Sequence, residues 1–116
     1  VTPAAPAPAA GFRLLLRVAV DPERATEYEE AWREVAARVD AGGVCARQWL
    51  LRLDGEPGGY LIVSDWPDAA AFDRFRTSPA HDAHAADLKR YQRVVSVTTA
   101  AIAAEVESAR DAAPRP

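Results

Sequence analysis

A chain of 116 residues has room for one domain around one modest core, and its formal net charge of -3 leaves no basic face dense enough to neutralise a run of phosphates. Nucleic acid is therefore not an expected partner. A lone cysteine, Cys45, excludes an intramolecular disulfide and a thiolate metal cluster, and no apolar run approaches the roughly 20 residues of a spanning helix, so a cytoplasmic protein that does not enter the membrane is expected.

Residues 1–10, VTPAAPAPAA, cannot bury enough apolar surface to offset the entropy of ordering, so they predict a disordered arm, with a similar tail over 108–116 and one folded domain over 11–107. Residues 12–20, FRLLLRVAV, are an apolar run bounded by Gly11 and Asp21-Pro22, which predicts a strand buried on much of both faces. Asp21 then caps a helix with Pro22 at its first position. Along that helix Tyr28, Trp32, Val35, Ala36 and Val39 recur three and four apart and turn one face inward. Its acidic residues crowd the first half, where the helix dipole favours them. Ala41-Gly42-Gly43 ends it.

Residues 44–53 predict a second strand, in which Cys45 reads as a small core residue, and the glycine-rich stretch 54–59 reads as a hairpin connection. The third strand, 60–66, carries apolar residues at consecutive positions and ends on Trp66. Asp68 caps a short helix bearing Phe72 and Phe75, and Ser78 caps another with Pro79 at its first position. On that second short helix His81, His84, Leu88 and Tyr91 share a face by their spacing. Residues 93–106 predict a last strand. The order β-α-β-β-α-β, with the second helix broken in two, is a ferredoxin-like α+β arrangement with a four-stranded antiparallel sheet. Helices cover one sheet face, and the apolar residues on the other call for a second copy of the chain.

The strand end Ser64-Asp65-Trp66, followed by Phe72-x-x-Phe75 and Ser78-Pro79-x-His81, resembles the antibiotic biosynthesis monooxygenase family over residues 12–106. That resemblance implies a homodimer in the form of a dimeric α+β barrel, a small aromatic polyketide as substrate, and no cofactor. Family members that oxygenate aromatic polyketides place an asparagine on the tryptophan strand where this chain has Ile62, and the chain has no asparagine at all. With Gln48-Trp49-Leu50-Leu51 and Ser64-Asp65-Trp66, the chain looks more like the polyketide cyclases of the same shape. Ring closure by aldol condensation is thus the leading expectation, with cofactor-free oxidation of a phenol or anthrone to a quinone as the alternative and a non-catalytic ligand-binding dimer as the third.

Alternation along the third strand puts Tyr60, Ile62, Ser64 and Trp66 on one face, so Trp66 is expected to shape the pocket and the other three to contact substrate. His81 and His84 are the expected acid/base pair, because an imidazole titrates near neutrality and suits removal of an acidic proton. Arg17 and Arg47 are candidate donors to the developing oxyanion, with a salt bridge as their plainer fate. Trp32 and Phe72 complete the expected lining. No metal is expected, since two histidines lack further ligands to complete a site. Among its motifs the chain has no Gly-rich phosphate loop or dinucleotide fingerprint.

Overall fold

The computed structural model describes residues 11–107, so the arm expected over 1–10 and the tail expected over 108–116 lie outside the described residues. Its elements are β1 (Phe12–Val20), a 3-10 turn (Pro22–Arg24), α1 (Ala25–Ala41), β2 (Arg47–Arg52), β3 (Gly59–Trp66), α2 (Ala69–Arg76), α3 (Pro79–Lys89) and β4 (Gln92–Ala101). The strands form one antiparallel sheet in the order β2-β3-β1-β4. This is the ferredoxin-like order, with β1 and β3 side by side at the centre and β2 and β4 at the edges.

Register decides which side chains meet. Phe12 lies opposite Trp66, Leu16 opposite Ile62 and Val18 opposite Tyr60, while Leu50 lies opposite Ile62 from the other side. These residues share the helix-covered face, where Val18, Val20, Tyr28, Val35, Tyr60 and Leu88 form the buried core. The Tyr28 ring packs 5.1 Å from the Tyr60 ring, and its hydroxyl donates to Gln92 Oε1 at 2.6 Å. A fully buried phenol is thereby satisfied, as it must be to avoid a desolvation penalty of roughly 1–3 kcal/mol.

The other sheet face carries Arg13, Leu15 and Arg17 from β1, Trp49 and Leu51 from β2, and Leu61, Val63 and Asp65 from β3. Arg13 and Asp65 are opposite one another in register and form a two-pronged ion pair at 2.7 and 2.8 Å. Asp65 is buried, and the guanidinium holds its carboxyl below the usual carboxylate range. No helix of the described residues is long and apolar enough to cross a membrane.

Three local expectations are corrected. Asp21 does accept from the Glu23 amide, but it caps the 3-10 turn, and α1 begins only at Ala25. Residues 44–46 stay outside β2, because after Gly43 enters with φ of 77° the only ladder bond they make is from the Ala46 amide to the Asp65 carbonyl. β4 ends at Ala101, where the last bond back to β1 runs from the Ile102 amide to the Gly11 carbonyl. Gly58 is needed as glycine: its φ is 78°, and a Cβ there would collide with the Val20 carbonyl.

Candidate active site

The last turn of β3 and the two short helices build an apolar cleft around one indole. Trp66 is 3% exposed, and its Nε1–H donates to Ser64 Oγ at 2.9 Å, so the ring is fixed by its own strand neighbour on the same face. Asp68 accepts from the Ala71 amide and starts α2 at the angle that brings two phenylalanines over the indole. Phe72 meets it edge-on at 5.4 Å and Phe75 at 4.9 Å, while Phe12 closes the far side of Phe72 at 5.5 Å.

Ser78 then turns the chain, accepting from the His81 amide as the cap of α3. The three-residue spacing on α3 brings both histidines to the same phenylalanine: His81 stands edge-on to Phe75 at 5.4 Å, and His84 stacks on it at 6.1 Å. The Nδ1 atoms of both imidazoles are buried and lack any hydrogen-bond partner among the described residues. His81 Nδ1 comes within 3.9 Å of Asp82 Oδ1, too long for a hydrogen bond, and its side chain is 38% exposed. His84 is the deeper of the two. Burial holds its imidazole below the usual range, with Arg38 and His81 acting in the same direction and Asp87 opposing them. It is therefore neutral at pH 7, the form able to accept a proton.

A cavity of about 260 Å³ lies here, walled by Trp66, Phe75, His84, Cys45 and the arginines Arg38 and Arg74. Cys45 donates its thiol hydrogen to the Arg47 and Asp65 carbonyls at 3.4 Å, and burial pushes the thiol up to about 11. At neutral pH it is a protonated, hydrogen-bonded wall residue and not a nucleophile.

A larger cavity of about 550 Å³ runs along the edge of β2 and holds two of the expected lining residues, Trp32 and Tyr60. Its titratable acid and phenol are already paired. The Tyr60 hydroxyl donates to Glu29 Oε2 at 2.6 Å, and Arg52 clasps both oxygens of the same carboxylate at 2.8 Å. Those bonds hold Glu29 down at about 2, and burial beside that carboxylate raises the Tyr60 phenol. Gln48 donates to the Ala36 carbonyl at 2.9 Å. Volume alone would favour this cleft, but nothing in it is left to move a proton at neutral pH.

The expected site residues therefore divide. Trp66, Phe72, His81 and His84 come together, and Ser64 serves them by holding the indole. Trp32 and Tyr60 line the other cleft. Ile62 does not line the cavity: flanked by Leu16 and Leu50, it packs against the core beneath α1. Arg17 and Arg47 are odd-numbered along their strands relative to the covered face and emerge on the opposite side of the sheet. Arg17 pairs with Glu56 at 2.6 Å, and Arg47 lies 5.8 Å from the Trp49 ring and 3.9 Å from Glu105. Neither reaches the cleft, so neither can serve as its oxyanion donor. Arg38, Arg74 and Cys45 were not expected in the site. Arg38 follows Val35 by three positions on α1 and could have been placed by helical phase; Cys45 lies in an irregular segment that periodicity does not orient. Among the described residues no group of three or more histidine, cysteine or carboxylate side chains could hold a metal ion.

The element order, the sheet order and an aromatic cleft under a split second helix define a ferredoxin-like α+β domain. The chain belongs to the antibiotic biosynthesis monooxygenase family, whose sequence model matches residues 11–87. Among solved structures it is similar to SnoaB, a cofactor-independent oxygenase from Streptomyces nogalater, at 21% identity over 87% of this chain and 98% of that one, with a TM-score of 0.69. A candidate antibiotic biosynthesis monooxygenase from Caulobacter crescentus is 20% identical over 84% and 93% of the two chains, with a TM-score of 0.69. A conserved protein from Methanosarcina mazei has the same TM-score, 0.69, at 13% identity over 79% and 92%. At these identities the likeness is one of fold. No curated protein matches the chain.

Proposed function

We propose that this protein is a cofactor-free enzyme that removes the acidic proton of a small phenol or anthrone of polyketide type and lets dioxygen oxidise the resulting anion to a quinone. The observation that carries this reading is His84: a neutral imidazole in an apolar aromatic cleft, with Nδ1 buried and unpartnered. A base with no hydrogen bond to give up can take a proton without first breaking one. The phenol O–H or activated C–H proton passes to the His84 imidazole. The electron-rich ring carbon then forms a C–O bond with dioxygen, and the hydroperoxide so formed loses water. Phenol and dioxygen give quinone and water, so no outside reductant is required. Trp66 and Phe75 wall the ring and exclude water.

Two considerations support oxidation over ring closure in this reading. At about 260 Å³ the cavity suits a small, rigid ring system better than a long keto chain that must fold back on itself. The described activity of SnoaB points the same way. Ring closure remains the second reading because aldol condensation and dehydration need both a base and an acid, and two histidines stand against one phenylalanine. Ile62 in place of an asparagine gives ring closure no support, because Ile62 packs against the core and does not line the cavity.

Product formation from an anthrone or naphthol with and without oxygen separates the two. Stoichiometric oxygen uptake, no product under anaerobic conditions and activity that survives chelation and dialysis are expected. Anaerobic product from a polyketide chain would make ring closure correct.

The same reading includes a homodimer and a cytoplasmic setting. Support for the dimer is the helix-free sheet face, where Leu51 is 43% exposed beside Leu61, Leu15 and Trp49. Sedimentation equilibrium should give twice the chain mass, and Leu51→Asp should shift it toward the monomer.

A further inference from the structure

Every charged side chain on the wall of the Trp66 cavity is of one sign. Arg38 and Arg74 line it, and no carboxylate does. The chain is acidic overall, with 17 Asp and Glu against 14 Lys and Arg, so a wall of this kind is not what its composition supplies by default. The two arginines differ in how they are held. Arg38 is clasped by Asp87 at 2.6 Å, which fixes its position and offsets part of its charge. Arg74 makes no side-chain ion pair or hydrogen bond among the described residues, while Asp73 is held by Arg76, three positions on, at 2.9 Å. The opening turn of α3, at Ser78 and Ala80, belongs to the same wall and adds the positive end of a helix dipole.

We infer that the cavity selects an aromatic acid: one or two fused rings held against the Trp66 and Phe75 wall, with a carboxylate remote from the reacting hydroxyl bound by Arg74. This rests on the reading of the cleft as the substrate site and narrows its substrate class. The volume of about 260 Å³ falls just below the roughly 300–1,000 Å³ of sites for drug-sized ligands, which limits the ring count. An unpaired guanidinium at the mouth would bind a carboxylate through two parallel N–H bonds and so set which ring position faces His84. Arg74 thus acts as a specificity residue and does not touch the reacting atoms.

Calorimetric titration of the full chain with 6-hydroxy-2-naphthoate and with 2-naphthol tests the inference, since the two differ only in the carboxylate. The acid should bind at least about tenfold more tightly, as expected for a charge-assisted pair. Arg74→Gln should abolish that preference while leaving the naphthol affinity within about twofold, and Arg74→Lys should retain part of it. Naphthol bound with no preference for the acid, or a preference that survives Arg74→Gln, overturns the inference and leaves the site standing. Failure of both compounds to bind overturns the reading of the cleft as the substrate site, and the inference with it.

Discussion

The cleft along the edge of β2 and the cleft around Trp66 differ in what their polar groups have left to do. Along β2, Glu29, Tyr60 and Arg52 satisfy one another at 2.6 to 2.8 Å, and the carboxylate is held down at about 2. Around Trp66 the walls are aromatic, and the two imidazole Nδ1 atoms have no hydrogen-bond partner among the described residues. A saturated cluster is a structural device, since each of its hydrogen bonds would have to break before any group could exchange a proton. An unpartnered imidazole costs stability where it sits and is free to act. The larger cleft is therefore read as part of the scaffold, and the smaller as the place of chemistry.

The largest expected difference between them is in turnover. His84→Ala should lower kcat/KM by about 10² to 10⁴, the usual cost of losing a general base, with little change in Tm because it removes no hydrogen bond. Glu29→Gln should leave turnover within about threefold. Equal losses in the two variants would erase the distinction.

Trp66→Ala should destabilise the fold by roughly 3–5 kcal/mol, as truncation of a buried aromatic does, and should also depress turnover. Trp66→Phe keeps a ring but loses the bond to Ser64, a loss of about 1 kcal/mol, and should keep most of the activity. Chemical denaturation beside steady-state kinetics measures both. Unaltered turnover in a folded Trp66→Ala protein would remove the indole from the site.

The smallest effect is confined to acid. Because the native fold holds Glu29 at about 2 against an ordinary 4.5, its contribution to stability is complete above about pH 4.5 and is lost as pH falls toward 2. Thermal melts across that window should show the wild type losing a component that Glu29→Gln lacks from the start. Parallel acid profiles for the two proteins would mean that the Glu29 cluster is not the buttress described here.

The strand and helix order was legible because period-two and three-to-four spacings are local, and the caps at Asp68 and Ser78 are local too. The aromatic half of the site was legible for the same reason: alternation sets Trp66 and Ser64 on one face, and helical phase aligns His81 with His84. What escaped depends on which sheet face is covered. Arg17 and Arg47 look like pocket cations on apolar strands, yet parity relative to Trp66 sends both to the helix-free side. Ile62 has the right parity but sits too far along β3 from the strand end, and packs against the core instead. Arg38 comes from α1, Arg74 from α2 and Cys45 from the segment before β2, and only tertiary packing brings them to one wall.

The central claim is that a neutral His84 in the apolar cleft takes the substrate proton, and chemical rescue tests it most directly. With a phenol or anthrone substrate, kcat/KM of the wild type should fall on the acid side as His84 becomes protonated, with the limb below the usual histidine range because burial and Arg38 disfavour the charged ring. His84→Gly should lose both the rate and that limb, and added imidazole should restore turnover in proportion to its concentration. A His84→Gly protein that turns over at the wild-type rate with the acid limb intact would contradict the account.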